Sequence, residues 1–288
     1  MNSIKIMIEV LKAGLYSSFQ DCGRLFYSDK GVPLSGAMDL YAMQLANHLL
    51  DNNRNEAVIE CTLIGPELFF EKECYISITG ADFNATLNNQ FVSARTRIFV
   101  PPKSILKMGN AKKGTYGYIA VEGGYDIAPV LESFSYYPTI APHLKLIKGQ
   151  KINYKRGSKK SKNYSRVSAV QQSFDTDEID VFKGPEFSQL SIDLQQKFFT
   201  TIFTVEQSSN RMSTQLSHNH SFTTEEIVTC PVQPGTIQLT PAGKVICLMR
   251  DAQTTGGYAR IFQMKAEAIQ ILAQKRIGDR VVFKMNAQ

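Results

Sequence analysis

Short runs of apolar or alternating residues, separated by Gly, Pro and Asn, recur along all 288 residues of this sequence. Runs of this length and spacing are typical of β-strands, and their number favours a barrel or a sandwich over a helical fold. The clearest runs are 4–11, 57–63, 67–70, 75–79, 91–93, 97–100 and 116–121 in the first half, and 179–182, 200–206, 236–239, 245–248, 259–264 and 280–284 in the second.

Three stretches have helical periodicity instead, namely 39–50, 191–199 and 265–275. In the first of them, Asp39 precedes an apolar pattern of period 3.6 and is a suitable N-cap. In the third, Gly278 lies beyond the predicted end, as is common after a helix. The predicted class is therefore mostly β with a few short helices.

A short internal sequence repeat suggests two related halves. The tetrapeptide Gly-Pro-Glu-Leu at 65–68 returns as Gly-Pro-Glu-Phe at 184–187, each time after a β-like run. A stretch rich in Ser, Lys and Asn lies between them. We therefore predict an N-terminal β-barrel half over 1–155, a basic connector over 156–166 and a C-terminal β-barrel half over 167–288.

The net charge of +6 is concentrated in one stretch. Residues 145–166 carry nine Lys or Arg and no acid, and the rest of the chain is net acidic. Two tyrosines interleave these cations, so a phosphate backbone is one candidate partner. A solvated connector is the more common explanation of such a run, and nucleic acid is the less favoured partner.

The five cysteines are widely spaced and include no C-x-x-C pair. That pattern favours a reducing compartment over a disulfide framework or a zinc site. The first residues include Glu9 and form no long apolar segment, so no signal peptide is predicted. No stretch approaches the roughly 20 apolar residues of a membrane helix. We expect a cytoplasmic protein without a membrane span.

Familiar catalytic signatures are missing. The four histidines lack metal-ligand spacing, and no metal site is predicted. Residues 109–115 begin like a P-loop, but Thr115 stands where the phosphate-binding Lys belongs. If ATP is used, this chain holds it in no recognisable P-loop.

Two polar, glycine-rich segments remain as site candidates. The first runs from Gln20 to Asp39, and glycine turns of this kind can bind an anion or a developing oxyanion through backbone N–H groups. The second, 251–258, places a carboxylate, an amide, two hydroxyls and a phenol around a predicted Gly-Gly bend. These groups suit an amide or ureido ligand. Helix capping by Asp39 and a tight turn at 256–257 are the structural alternatives.

Both segments carry a family resemblance, together with two shorter motifs between them. The motifs, in chain order, are Gln20-Asp21…Gly23-Arg24, Gly31-Val32-Pro33…Ser35-Gly36-Ala37-Met38-Asp39, Ala46-Asn47, Gly235-Thr236-Ile237-Gln238 and Asp251…Gln253-Thr254-Thr255-Gly256-Gly257-Tyr258. Their order over about 8–284 resembles the family that unites biotin-dependent carboxyltransferases with the C subunit of 5-oxoprolinase. That family also includes the carboxyltransferase part of urea carboxylase (allophanate hydrolase subunit 2) and an antagonist of a kinase inhibitor.

The resemblance implies two cyclophilin-like β-barrels and partner chains of the A-like and B-like types. It implies that the complex uses ATP to convert 5-oxoproline, a small lactam, to glutamate. Two alternatives stay open, namely a biotin-dependent carboxyltransferase acting on urea or a similar amide, and a non-catalytic antagonist of a kinase inhibitor. Biotin enters only under the first of these, and its carrier would be another chain.

The chemistry that the resemblance implies leads to a hypothesis about site residues. Arg24, Asp39 and Asp251 are the expected catalytic residues, with Arg24 facing developing negative charge and Asp251 orienting N–H groups. The expected substrate-binding residues are Gln20, Asp21, Ser35, Gly36, Gln238, Gln253, Thr254, Thr255 and Tyr258.

Three positions depart from the pattern of the family. Tyr116, Phe134 and Gln215 stand where the family usually has arginine. None of these side chains can form the bidentate contacts of a guanidinium with a carboxylate or phosphate. An anionic substrate is therefore expected to bind differently here, or less well.

Overall fold

The computed structural model describes residues 6–155 and 175–286, and the contacts between Cα atoms divide the chain into two compact units. The first unit comprises Met1–Gly23 and Asp39–Gln171, and the second comprises Arg24–Met38 and Gln172–Gln288. The predicted connector at 156–166 lies outside the described residues, so the boundaries at 155 and 167 stay a prediction. The structure adds that 24–38, which we placed in the first half, groups with the second unit.

The first unit contains two antiparallel sheets and one α-helix among the described residues. Its strands are β1 (Ile6–Lys12), β2 (Tyr16–Gln20), β3 (Val58–Thr62), β4 (Glu67–Phe70), β5 (Cys74–Phe83), β6 (Thr86–Leu87), β7 (Gln90–Phe91), β8 (Arg97–Val100), β9 (Ser104–Lys107), β10 (Ala111–Val121) and β11 (Lys151–Tyr154). One sheet has the order β11-β1-β4-β9-β6-β7 and the other β2-β3-β10-β5-β8. Helix α1 spans Leu40–His48, and a 3₁₀ turn spans Pro142–Leu144.

Period-two alternation builds the core of this unit. Ile8 and Leu68 from the six-stranded sheet join Ile59 and Ile119 from the five-stranded sheet in one buried apolar cluster. The other face of the five-stranded sheet packs on α1, where the Thr79 hydroxyl donates to the carbonyl of residue 42 over 2.6 Å. Both faces of this sheet are therefore covered, which explains the nearly continuous burial of β5 and β10.

The second unit is built around a closed ring of seven strands. Its strands are β12 (Glu178–Lys183), β13 (Phe203–Val205), β14 (Ser213–Ser217), β15 (Glu226–Pro231), β16 (Thr236–Leu239), β17 (Val245–Leu248), β18 (Thr255–Met264) and β19 (Arg280–Met285). The ring runs β12-β19-β13-β14-β17-β16-β18 and closes where β12 pairs with β18, while β15 extends the sheet from β18. Closure removes two sheet edges that would otherwise be open.

Two helices and an aromatic core complete this unit. Helix α2 spans Ile192–Thr200, helix α3 spans Ala266–Gln274, and short 3₁₀ turns span Ser28–Lys30 and Phe187–Gln189. The rings of Phe198, Phe203, Phe262 and Phe283 are buried and contact one another in pairs. Such pairs stabilise a barrel interior beyond the area that they bury.

The predicted mostly-β class with a few short helices is confirmed, and so are all three helices. Asp39 caps α1 as expected, because its carboxylate accepts the N–H of residue 42 over 2.9 Å. The predicted bend at Gly256 and Gly257 is wrong, since both residues lie inside β18 and Gly256 pairs with Cys230 of β15. Among the described residues, no helix has both the length and the apolar character needed to cross a bilayer.

Thiol labelling tests the packing of both units. Burial raises the pKa of the Cys61 and Cys247 thiols far above the usual value, and it raises that of Cys74 to about 12. A thiol must ionise to react, so these three are protected in the folded protein. We expect a disulfide reagent to label only Cys22 and Cys230, which are partly exposed, at pH 8 under native conditions. Mass spectrometry should show two modified thiols before unfolding and five after it; early modification of Cys61 would contradict this packing.

Candidate functional site

The second unit contains a cavity of about 1320 Å³. Five cationic residues line it, Arg24, Lys183, Arg250, Arg260 and Lys265, against one acid, Asp29. Amide and hydroxyl side chains also line it: Ser28, Gln233, Thr236, Gln253, Thr254, Thr255 and Gln263. Apolar surface from Phe182 and Phe262 completes the wall. Positive charge together with convergent amides suits an anionic ligand that also carries carbonyl or N–H groups.

One wall of the cavity comes from the loop that begins at Arg24. The N–H of Arg24 donates to the carbonyl of Leu34 over 2.7 Å, which joins the two ends of the loop. The Arg24 side chain is buried. Immediately after the loop, Ser35 and Gly36 adopt left-handed conformations with φ of 56° and 93°. The Ser35 N–H donates to the carbonyl of Arg250 over 2.9 Å, so this turn is attached to the segment that precedes Asp251.

Asp251 supports this turn through an arginine. Its two carboxylate oxygens accept from Arg211 Nε over 2.7 Å and from Arg211 Nη2 over 3.1 Å. Arg211 Nη2 also donates to the carbonyl of Gly36 over 2.7 Å. Both charged side chains are buried, and Asp251 is not among the residues that line the cavity. The geometry gives Asp251 a supporting role and offers no support for direct contact with substrate.

Gln238 and Tyr258 lie on neighbouring strands of the ring, away from the cavity wall. The Gln238 amide nitrogen donates to the carbonyl of Tyr258 over 3.3 Å. A Cβ added to Gly256 would stand 2.7 Å from the same nitrogen, so a larger residue at 256 would displace the buried Gln238 amide. The Ser35 hydroxyl is buried and finds no hydrogen-bond partner within the described ranges.

The remaining predicted site residues belong to the first unit, and Asp21 is a loop anchor there. Its buried carboxylate accepts four hydrogen bonds: from the N–H of Gly23 (2.8 Å), the hydroxyls of Ser133 (2.7 Å) and Ser135 (2.5 Å), and the N–H of Phe134 (2.7 Å). Both oxygens are engaged by the chain itself, which favours a structural role, while substrate binding by Asp21 stays a prediction.

Asp39 belongs to a buried polar chain in the same unit. Its N–H donates to the Tyr118 hydroxyl over 2.8 Å, and that hydroxyl donates to Glu60 Oε2 over 2.9 Å. Burial, reinforced by the charge of Glu60, raises the pKa of Tyr118 well above its usual value, so the phenol stays protonated. Nearby, the Gln20 amide nitrogen donates to Ser18 over 3.0 Å, and its buried Oε1 has no partner in the described parts of the chain.

The cavity thus unites Arg24, Gln253, Thr254 and Thr255, four of the twelve predicted residues. Sequence reasoning missed Arg250 and Arg260 on the same wall. A signal existed for both, since Arg250 directly precedes the Asp251 motif and Arg260 lies two residues after Tyr258 on the same strand. The described residues contain no cluster of three or more side chains able to hold a metal ion.

Arg260 on the cavity wall forms an ion pair with Glu186, which does not itself line the cavity. Arg260 Nε donates to Glu186 Oε2 over 3.0 Å, Nη2 donates to Oε1 over 2.8 Å, and the Arg260 backbone N–H donates to Oε2 over 2.9 Å. The hydrogen bonds from Arg260 lower the pKa of Glu186 below its usual value. The pair therefore stabilises the fold above the ordinary Glu pKa of about 4.3, and that contribution is lost as pH falls through the lowered value.

Replacing Glu186 by Gln is expected to lower the free energy of unfolding by about 1–2 kcal/mol at pH 7, because charge-assisted hydrogen bonds are lost. The difference from wild type should vanish at a pH where the wild-type carboxyl is also protonated. Urea unfolding between pH 3 and pH 7 measures it, with exposed Glu73→Gln as the control. A difference that stays constant over this range would contradict the assignment.

Comparisons with known proteins agree with this architecture. The family model for the carboxyltransferase domain, subdomain A and B, matches residues 30–285. The C subunit of the Escherichia coli 5-oxoprolinase is 30% identical over 284 residues, which cover 96% of this chain and 90% of that protein.

Solved structures share the fold. The Kluyveromyces lactis urea amidolyase superposes with a TM-score of 0.87 at 25% identity, over 98% of this chain and 19% of that one. The crystal structure of TTHA0988 superposes with a TM-score of 0.86 at 23% identity, over 98% of this chain and 56% of that one. The present chain therefore spans about half of one structural relative and a fifth of the other. This chain therefore belongs to the family of the carboxyltransferase domain, subdomain A and B, and the C subunit of 5-oxoprolinase is one of its relatives.

Proposed function

We propose that this chain is the C subunit of a cytoplasmic, ATP-dependent 5-oxoprolinase, which opens 5-oxoproline to glutamate together with A-like and B-like partner subunits. The observation that carries the proposal is the near end-to-end match to the C subunit of a 5-oxoprolinase, at 30% identity over 96% of this chain and 90% of that protein. A match of that extent leaves no large part of the relative without a counterpart.

The cavity supports the same chemistry. A lactam presents a carbonyl oxygen, an N–H group and a planar amide. The Gln253 amide can accept from the N–H, while the hydroxyls of Thr254 and Thr255 can donate to the carbonyl. Attack on a lactam carbonyl develops negative charge on its oxygen, and the buried Arg24 guanidinium is the candidate to stabilise that charge. These residues orient the substrate and favour the transition state.

The other predicted residues have supporting roles in this proposal. Asp251 holds Arg211, which holds the turn at Gly36. Ser35 keeps a buried hydroxyl in that turn, and in the first unit Gln20 keeps a buried amide oxygen, each without a hydrogen-bond partner in the described residues. Asp39 caps α1, so its proposed contribution is to position the start of that helix.

The residues that begin like a P-loop do not fit ATP. A P-loop opens a helix, whereas 111–121 form the long strand β10 directly after Gly109 and Asn110. We therefore derive no step through ATP for this chain, and propose that the complex holds the nucleotide elsewhere. The sequence contains no Met-Lys-Met motif for biotin attachment, since Lys284-Met285 is preceded by Phe283.

Reconstitution tests the proposal. The chain, coexpressed with A-like and B-like partners, is expected to release glutamate from 5-oxoproline in the presence of ATP. Omitting the chain should abolish the release, and Gln253→Ala and Arg24→Gln should lower it. A stable complex that releases no glutamate would refute the proposal.

Carboxyl transfer to urea or a similar amide is the second candidate. The superposition on a urea amidolyase supports it, although that match covers only 19% of the larger enzyme. Carboxylation of urea by this chain with a biotin carboxylase and a biotinylated carrier would favour this candidate. A complex inactive in both assays would point to the third possibility, an antagonist of a kinase inhibitor.

A further inference from the structure

Arg260 has the hydrogen-bond pattern of a guanidinium that is held ready for a ligand. It lies in β18 on the cavity wall, and its side chain is 19% exposed. Nε and Nη2 donate to the two oxygens of Glu186, and Nη1 donates to the carbonyl of Pro231 over 3.1 Å. These contacts use three of its N–H donors.

A guanidinium carries five N–H donors in a fixed plane. The three contacts leave two donors without an acceptor among the described residues, one on Nη1 and one on Nη2. One N–H on each terminal nitrogen can bind the two oxygens of a carboxylate when the two N–H groups are parallel. The unused donors of Arg260 are therefore suited to an oxyanion in the cavity.

The opposite side of the guanidinium is held firmly. Glu186 accepts from both the side chain and the backbone of Arg260. The chain before Glu186 is pressed against β18, since a Cβ on Gly184 would stand 2.1 Å from the carbonyl oxygen of Arg260. A side chain fixed in this way loses little conformational entropy when it binds a ligand.

We propose that Arg260 binds the carboxylate of the ligand in the cavity and that Glu186 is the positioning residue that orients it. The inference rests on the proposed function, and it deepens that function by naming how the acid group of a lactam such as 5-oxoproline is recognised. Neither residue is among the site residues that the sequence predicted.

The charges around Arg260 indicate how the carboxylate is recognised. Glu186 neutralises much of the charge of Arg260, so attraction at long range comes mainly from other cations on the same wall, such as Lys183. Selectivity then depends on the planar pair of N–H donors rather than on charge alone. A lysine at 260 keeps the charge but cannot reproduce that pair.

The test compares two ligands that differ by the carboxylate. Binding of 5-oxoproline and of 2-pyrrolidinone, the same lactam ring without the acid group, is measured by NMR titration of the full chain. We expect wild type to prefer 5-oxoproline and Arg260→Lys to weaken the binding of that ligand at least tenfold. Neither Arg260→Lys nor Glu186→Gln should change the binding of 2-pyrrolidinone. Glu186→Gln, which leaves the guanidinium in place, should weaken 5-oxoproline less than Arg260→Lys does.

The control is Arg280→Lys, because Arg280 is 60% exposed, pairs with Asp177 and does not line the cavity. Each variant is first checked for an unchanged folded spectrum, and Arg260→Gln combined with Glu186→Gln replaces any single variant that misfolds, since it leaves no unpaired charge. Equal affinity of wild type for the two lactams, no binding of either, or an unchanged 5-oxoproline affinity in Arg260→Lys would each overturn the inference. Loss of inorganic phosphate binding in Arg260→Lys, without loss of 5-oxoproline, would reassign the site to phosphate and overturn it as well.

The reconstituted complex separates this inference from the proposed function. Arg260→Lys should raise the KM for 5-oxoproline and leave kcat nearly unchanged, as loss of a ground-state contact does. Glutamate release that is indifferent to Arg260 would refute the inference and keep the function. Arg260-dependent binding of 5-oxoproline in a complex that releases no glutamate would refute the function and keep the inference.

Discussion

Replacing Asp21 by Asn is expected to lower the free energy of unfolding by about 3–5 kcal/mol. The substitution keeps the shape of the side chain, but it removes the charge and turns one of two buried acceptors into a donor. The amide nitrogen would then face a backbone N–H, such as that of Phe134, or the donors on the other oxygen. A loss of this size is a large share of the roughly 5–15 kcal/mol that stabilises a typical domain.

Urea unfolding at pH 7 measures this change, with Asp82→Asn as the matched control. Asp82 is an exposed residue in β5, and its replacement should change the free energy by less than about 0.5 kcal/mol. The experiment also decides between two roles for Asp21. An unchanged unfolding midpoint together with lost activity would restore the substrate-binding role that the sequence predicted.

Replacing Asp251 by Ala is expected to cost about 3–5 kcal/mol, because it leaves the buried guanidinium of Arg211 without its carboxylate. The turn at Gly36 depends on the same guanidinium, so the loop that carries Arg24 should also become less ordered. The unfolding midpoint in urea measures the first effect, and hydrogen exchange of 24–38 measures the second.

The double variant Arg211→Met/Asp251→Leu supplies the internal check. Removing both charges should recover more than half of the stability lost in Asp251→Ala. Lys197→Ala serves as the surface control, since Lys197 and its partner Asp193 are 47% and 73% exposed and their pair should contribute less than about 0.5 kcal/mol. A stable Asp251→Ala protein without activity would instead support the catalytic role that the sequence predicted.

The local elements could be predicted from the sequence because their signals are local. The runs 67–70, 97–100, 236–239 and 245–248 agree with the observed strands residue for residue. The helix starts agree because Asp39 and Ser191 accept backbone N–H groups one turn ahead. Strands such as Ser213–Ser217 and Glu226–Pro231 were missed, since polar or exposed residues hide their alternation.

The site could be predicted only in part. The motif at 253–255, which is predicted to bind substrate, lies on the cavity wall. Asp21 also belongs to a family motif, but its partners Ser133 and Ser135 are more than a hundred residues away in the sequence. No local pattern predicts these hydrogen bonds. Asp251 is likewise predicted to take part in the chemistry, and its hydrogen bonds from the distant Arg211 show in the tertiary structure alone.

By itself, the sequence determined the β-rich class, the three helices, the family and the two polar segments. Periodicity, helix caps and motifs depend on residues that are close together in the sequence. Tertiary structure alone decided that 24–38 groups with the second unit, that Gly256 lies within a strand, and that Arg260 faces a cavity with two donors unused by the described residues. These features depend on which strands pair and in what register. Strand pairing joins residues that are far apart in the sequence. The free energy that favours one register comes from the closed ring and its core as a whole.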